Sequence, residues 1–196
     1  TNIEIINTDA TLATNLTLNT MSVTVTMGSA NDTIFLGVAS GTATVTTGDG
    51  DDTVTLGGGQ NFITTGNGSD TILGSLTSGD TIDLGGDNDT FAYSATIDSS
   101  NEIDGGTGVD TLTYGGGTAL TIDFSATTDN IVVDNSTPGA DDGLYSNFEN
   151  LDAAGASNIL TVTAATTGSE ITTGSAADVV TLGIATDIVS TGNGAD

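Results

Sequence analysis

The chain has 196 residues, of which 36% are hydrophobic and 4% aromatic, with 28 glycines, one proline and no cysteine, so a large aromatic core, a proline-rich linker and any disulfide or thiolate site are excluded. It has no Lys, Arg or His and a net charge of −26. That leaves no group to neutralise phosphates, which argues against nucleic acid as a partner, and none to build a Ser-His-Asp triad or a Schiff base.

The opening segment TNIEIINTDA lacks the basic and apolar stretches of a signal peptide, and nowhere do about 20 apolar residues run together as a membrane-spanning helix would need. From about residue 27 a nine-residue beat sets in: a glycine-rich turn, an aspartate, then a short Thr/Val/Ile strand. TGDGDDTVT (47–55), LGGGQNFIT (56–64) and TGNGSDTIL (65–73) follow without a gap, and GGTGVDTLT (105–113) is a full G-G-x-G-x-D-x-U-x motif, where U is a large aliphatic. This pattern predicts a parallel β-solenoid with Ca²⁺ in its turns. The inward aliphatics Ile34, Val45, Val54, Ile63, Ile72, Ile82 and Phe91 fall at steps of 11, 9, 9, 9, 10 and 9. Two beats make one coil of about 18 residues, in which triplets such as Thr53-Val54-Thr55 alternate out, in, out.

Residues 114–163 lose the beat, although LTIDF (120–124), NIVVD (130–134) and ILTVT (159–163) remain strand-like. The segment reads as wider coils of the same solenoid with a loop at about 135–147, which holds Pro138, Asp141 and Asp142; a small separate lobe is the alternative. The beat returns with Ile171, Val180 and Val189, each nine apart. Three regions result: a β-roll over 1–113, the irregular coils of 114–163, and a restarted roll over 164–196. GSANDTIFLGVA (28–39) matches GSAADVVTLGIA (174–185) at an offset of 146, TGDGDD (47–52) matches TGNGAD (191–196) at 144, and NIEIIN (2–7) resembles NFENLD (147–152) at 145. A tandem unit of about 145 residues is predicted, with 164–196 the restarted roll at the start of a second copy and the whole a piece of a longer array.

The acids are 22 Asp and only 4 Glu. A generic acidic coat would draw on both, whereas Asp is favoured where a carboxylate must reach its own turn or a metal beside it. Asp32, Asp52, Asp70, Asp89 and Asp110 hold the aspartate position on one side of the predicted roll, and Asp80 holds it on the other, with Asn61 in the coil before. Parallel strands about 4.8 Å apart would stack these carboxylates, and two of them about 5 Å apart repel by roughly 3 kcal/mol at an effective dielectric near 20. Glycine-rich turns can turn several carbonyls toward one point, and Ca²⁺ takes six to eight oxygens from carboxylates and carbonyls. With no nitrogen or sulfur side-chain donor, Zn²⁺ and Cu²⁺ fit poorly.

The motif resembles the RTX (repeats-in-toxin) family, over about 27–113 and 164–196. The resemblance implies an all-β, right-handed parallel β-roll with several Ca²⁺ ions in the turns. It assigns the metal to Asp52, Asp70 and Asp110 with the turn glycines Gly48, Gly50, Gly66, Gly68, Gly106 and Gly108. Asp32, Asp80, Asp89, Asp178 and Asp196 follow by the same pattern, although Ala30, Asp87 and Ala176 replace some of their glycines. IEIIN and NFENLD resemble, more loosely, stretches of giant secreted RTX adhesins and bacterial surface-layer proteins. By that resemblance the chain is secreted through type I secretion to the cell surface or beyond and folds on meeting external Ca²⁺.

The expected function is therefore a Ca²⁺-stabilised structural repeat of a surface layer, filament or adhesin stalk that self-assembles with other copies, without enzyme activity or membrane insertion. The alternatives are an ice- or glycan-binding module, for which the T-x-T ladder is interrupted by Phe35, Phe62, Leu73, Asp83 and Ala92, and an accessory roll of a secreted enzyme.

Overall fold

The computed structural model describes residues 3–8, 11–19, 22–37, 41–77, 79–93, 100–116, 119–126, 131–134 and 144–196, with backbone alone at 3–5, 93 and 131–134. The sequence-predicted loop lies largely outside the described residues, including Pro138, Asp141 and Asp142. Among the described residues there is no helix, so none crosses a membrane.

The strands follow in chain order as β1 (Ile3–Asn7), β2 (Asn15–Leu18), β3 (Ser22–Thr26), β4 (Thr33–Leu36), β5 (Thr42–Asp49), β6 (Thr53–Thr55), β7 (Gln60–Asn67), β8 (Thr71–Gly74), β9 (Thr81–Gly86), β10 (Thr90–Tyr93), β11 (Glu102–Asp104), β12 (Thr111–Tyr114), β13 (Leu120–Asp123), β14 (Ile131–Asp134), β15 (Leu144–Ser146), β16 (Asn150–Asp152), β17 (Leu160–Thr163), β18 (Glu170–Thr172), β19 (Val179–Thr181) and β20 (Ile188–Ser190). They form a β-solenoid of about eight turns. Sheet A runs β1-β3-β5-β7-β9-β11-β15 and sheet B runs β2-β4-β6-β8-β10-β12-β16-β18-β20. A third sheet, C, runs β14-β13-β17-β19.

As far as β12 the chain alternates between sheets A and B, one strand in each per coil, and every pairing in these two sheets is parallel. The predicted inward residues separate by sheet. Val45, Ile63 and Ile82 share one column in sheet A, whereas Ile34, Val54, Ile72 and Phe91 share one in sheet B. All seven are essentially buried, and their columns continue through Ile103 and Tyr145 in A and through Leu112, Leu151 and Ile171 in B. These two columns of aliphatic and aromatic side chains run through the interior, flanked by further buried residues such as Leu36, Leu56 and Leu84. Each coil buries its apolar surface mainly on the coils before and after it, so stability is a sum of neighbour terms.

The irregular region changes sheets. β13 pairs with β14 in the antiparallel sense, with a bulge between Thr121 and Ile122, and neither joins A or B. β15 rejoins A and is its last strand among the described residues, β16 rejoins B, and then β17 lies parallel on β13 and β19 on β17. Sheet B continues throughout, while its partner changes from A to C. The internal repeat therefore returns on different sheets: the motif at 28–39 leads into β4 of sheet B, and its match at 174–185 leads into β19 of sheet C.

Candidate metal-binding turns

The turn that leads into each sheet B strand begins while the chain is still paired in sheet A. β5 and β7 run on through Gly48-Asp49 and Gly66-Asn67, which stay in register across coils. Gly66 shows why glycine is required: its φ is +115°, and a Cβ there would lie 2.0 Å from the Gly48 carbonyl oxygen one coil below. The other turn glycines assigned from sequence, Gly48, Gly50, Gly68, Gly106 and Gly108, also have positive φ. In the coil containing Asp89 the position of Gly68 is taken by Asp87, which adopts φ +76°, so the turn survives that replacement.

The structure brings Asp32, Asp52, Asp70, Asp89 and Asp110 into one column, as the spacing predicts. It also gives them a direction. Oδ1 of each aspartate accepts the backbone N–H of the residue one coil earlier: Asp32 from Thr14 at 2.6 Å, Asp52 from Asp32, Asp70 from Asp52 and Asp89 from Asp70 each at 2.7 Å, and Asp110 from Asp89 at 2.8 Å. These aspartates are at most 2% exposed, and the Oδ2 atom of each is buried without a hydrogen-bond partner. Burial raises the pKa of Asp52, Asp70, Asp89 and Asp110, opposed by hydrogen bonds to their carboxylates and reinforced by neighbouring carboxylates. Asp52 is raised, Asp70 is pushed up to about 6, and Asp89 and Asp110 to about 7.

Glu149 continues the column, a role that sequence reasoning missed. Its Oε2 accepts the Asp110 N–H at 2.9 Å. No glycine turn precedes it. The only signal was that Asn150-Leu151-Asp152 follows it as Thr111-Leu112-Thr113 follows Asp110, the register in which β16 pairs with β12. Asp178 and Asp196 stand apart from this column, on the sheet C side: Oδ1 of Asp178 accepts the Leu160 N–H at 2.9 Å, and Asp196 accepts the Asp178 N–H at 2.8 Å. Oδ2 of Asp178 is again buried and unpartnered.

Asp80 lies in the turn stack that leads into sheet A, and both of its oxygens have partners. Oδ1 accepts the Asn61 N–H at 2.7 Å and the Asn61 side-chain amide at 3.0 Å, and Oδ2 accepts the Thr77 N–H at 2.7 Å. Asp80 in turn donates its N–H to Asn101 Oδ1 at 2.9 Å.

Among the described residues no three acidic side chains meet as a ready-made metal cluster. A cation held here would take one or two carboxylate oxygens and draw the rest of its shell from turn carbonyls, several of which already accept one backbone N–H, as Gly28 O does from Asp49 and Gly85 O from Thr107. A carbonyl has two lone pairs, so the second stays available. Comparisons of the chain with family models, curated proteins and solved structures give no match.

Proposed function

We propose that the chain is a Ca²⁺-stabilised structural repeat of a secreted bacterial cell-surface or extracellular assembly, and that it stacks with other copies. The observation that carries this reading is the column of buried carboxylates, each with one oxygen anchored and the other orphaned, in a chain with no cationic side chain. A buried charge without a partner is costly, and protonation or a bound cation relieves it. The residues fit an oxygen-liganded ion. Asp32, Asp52, Asp70, Asp89 and Asp110 would supply carboxylate oxygens, and the turns of Gly48, Gly50, Gly66, Gly68, Gly106 and Gly108 would supply carbonyls, with Asp178 and Asp196 serving the sheet C side. Bound Ca²⁺ would offset the column's charge and tie consecutive coils together. The resemblance to RTX repeats supports the same ion and is the basis for export and for a surface location. The chain's own residues contribute turns built on positive-φ glycines and a buried apolar interior.

Circular dichroism with a thermal melt, titrated with Ca²⁺ and reversed with EDTA, tests this. The expected result is a large gain in β-signal or in melting temperature at millimolar Ca²⁺, lost in EDTA. Equal stability in EDTA and in Ca²⁺ overturns it.

One observation favours a second reading, a module that binds ice or a glycan. Thr33, Thr53, Thr71, Thr90 and Thr111 form an unbroken outward column on sheet B. The interruptions at Phe35, Leu73 and Ala92 fall in the neighbouring column, and those at Phe62 and Asp83 fall on sheet A. Absence of thermal hysteresis and of retention on glycan arrays in Ca²⁺ buffer removes this reading.

A further inference from the structure

We infer that cation binding in the A/B block is confined to the turn stack leading into sheet B, and that the opposite stack is closed by its own amide groups and takes no ion. The inference rests on the calcium reading above. The two stacks have the same backbone logic: in each, a side-chain oxygen accepts an N–H from the coil before. They differ in what fills the space around it. In the stack leading into sheet A, Asn61 stands where the other stack has an aspartate. Its Nδ2 donates to Asp80 Oδ1 at 3.0 Å, to the Gly59 carbonyl at 3.1 Å and, more weakly, to the Gly57 carbonyl at 3.5 Å. The Thr77 hydroxyl donates to the same Gly59 carbonyl. One amide nitrogen thus gathers a carboxylate oxygen and two turn carbonyls, the donor set that a hard cation would otherwise take.

Charge spacing agrees. Asp80 has Asn61 one coil below and Asn101 one coil above, so it faces no like charge in its own stack. Asp70 has Asp52 and Asp89 in the same places. Both oxygens of Asp80 are satisfied, whereas Oδ2 of Asp70 is not. The unpartnered oxygen left in the stack leading into sheet A, Asn61 Oδ1, is neutral, so the uncompensated charge that calls for a cation is one-sided.

The test is Ca²⁺ titration of the whole chain by isothermal calorimetry, counting ions bound, for the unaltered protein and for Asp70→Asn, Asp80→Asn and Asn61→Asp. The expected results are that Asp70→Asn loses at least one ion or weakens binding tenfold or more, that Asp80→Asn keeps the ion count and binds within about twofold of the unaltered chain, and that Asn61→Asp gains an ion by recreating the carboxylate pair. A fall in ion count for Asp80→Asn equal to that for Asp70→Asn overturns the one-sided assignment while leaving the calcium reading intact. Should Asp80→Asn fail to fold, Asn61→Asp decides alone, and an unchanged ion count overturns the role given to the amide. No binding by the unaltered chain overturns the calcium reading and this inference together.

Discussion

In this chain Asp52, Asp70, Asp89 and Asp110 each give one oxygen to a backbone N–H and bury the other, so their protons are stability variables. Burial holds the folded pKa of Asp70, Asp89 and Asp110 at about 6, 7 and 7, above the ordinary value of 3.8. Between those limits the folded chain holds protons that the unfolded chain has released, so metal-free stability is full below about pH 4 and falls as pH rises toward 7. Each tenfold change in proton affinity is worth about 1.4 kcal/mol. On this account melts in EDTA should be highest at about pH 4 and below and drop by neutrality, and millimolar Ca²⁺ should flatten or reverse the slope. Asp89→Asn, which keeps an oxygen for the Asp70 N–H, should raise the neutral-pH melt in EDTA and reduce the gain from Ca²⁺. At Gly66 the backbone alone dictates the residue. Gly66→Ala should cost about 1–3 kcal/mol from its positive φ, with more from the clash with Gly48 O, read by denaturant unfolding. The column aspartates were legible because the nine-residue beat fixes their place. The direction of their N–H bonds was not legible, because it depends on side-chain rotamers, and Glu149 was hidden because no glycine marks its turn.

At the scale of the strand, the out-in-out alternation was readable to the residue, from Ile34 to Phe91, because a column of identical neighbours tolerates only one register. Ile72, fully buried between Val54 and Phe91, tests that packing. Ile72→Ala should cost about 2–5 kcal/mol in both EDTA and Ca²⁺, since its loss is one of apolar contact; a penalty seen only with Ca²⁺ would contradict the packing described. The outer faces differ. Sheet A carries Asp83, Glu102 and Asp104 outward, whereas the outward residues of β4, β6, β8, β10 and β12 are uncharged. Sequence spacing alone showed a threonine ladder with gaps. Assigning each triplet to its sheet shows one intact column, because alternate beats belong to different faces.

Over the whole molecule, the transfer from sheet A to sheet C was not legible. A beat of nine reads the same whichever pair of sheets it is laid on, and the handover is set by β13 starting a new sheet with antiparallel β14 at its edge. In the last described coil the apolar side chains Val179, Leu182, Ile184 and Ile188 are each more than half exposed. Hydrogen exchange should find β5 and β7, flanked by paired strands on both sides, among the most protected strands; uniform protection would contradict a stack held by neighbour terms.

Within the aspartate column the N–H to carboxylate bonds all point the same way along the stack, and this makes the two ends of the column chemically opposite. A coil's aspartate reaches back toward the N-terminal side, while its own N–H waits for an acceptor on the C-terminal side. Every cross-section is thus a plug on one face and a socket on the other. Two such stacks can meet plug to socket with this N–H to carboxylate bond made across the junction, but not plug to plug, so any filament they build inherits an arrow from a single hydrogen bond repeated along the column.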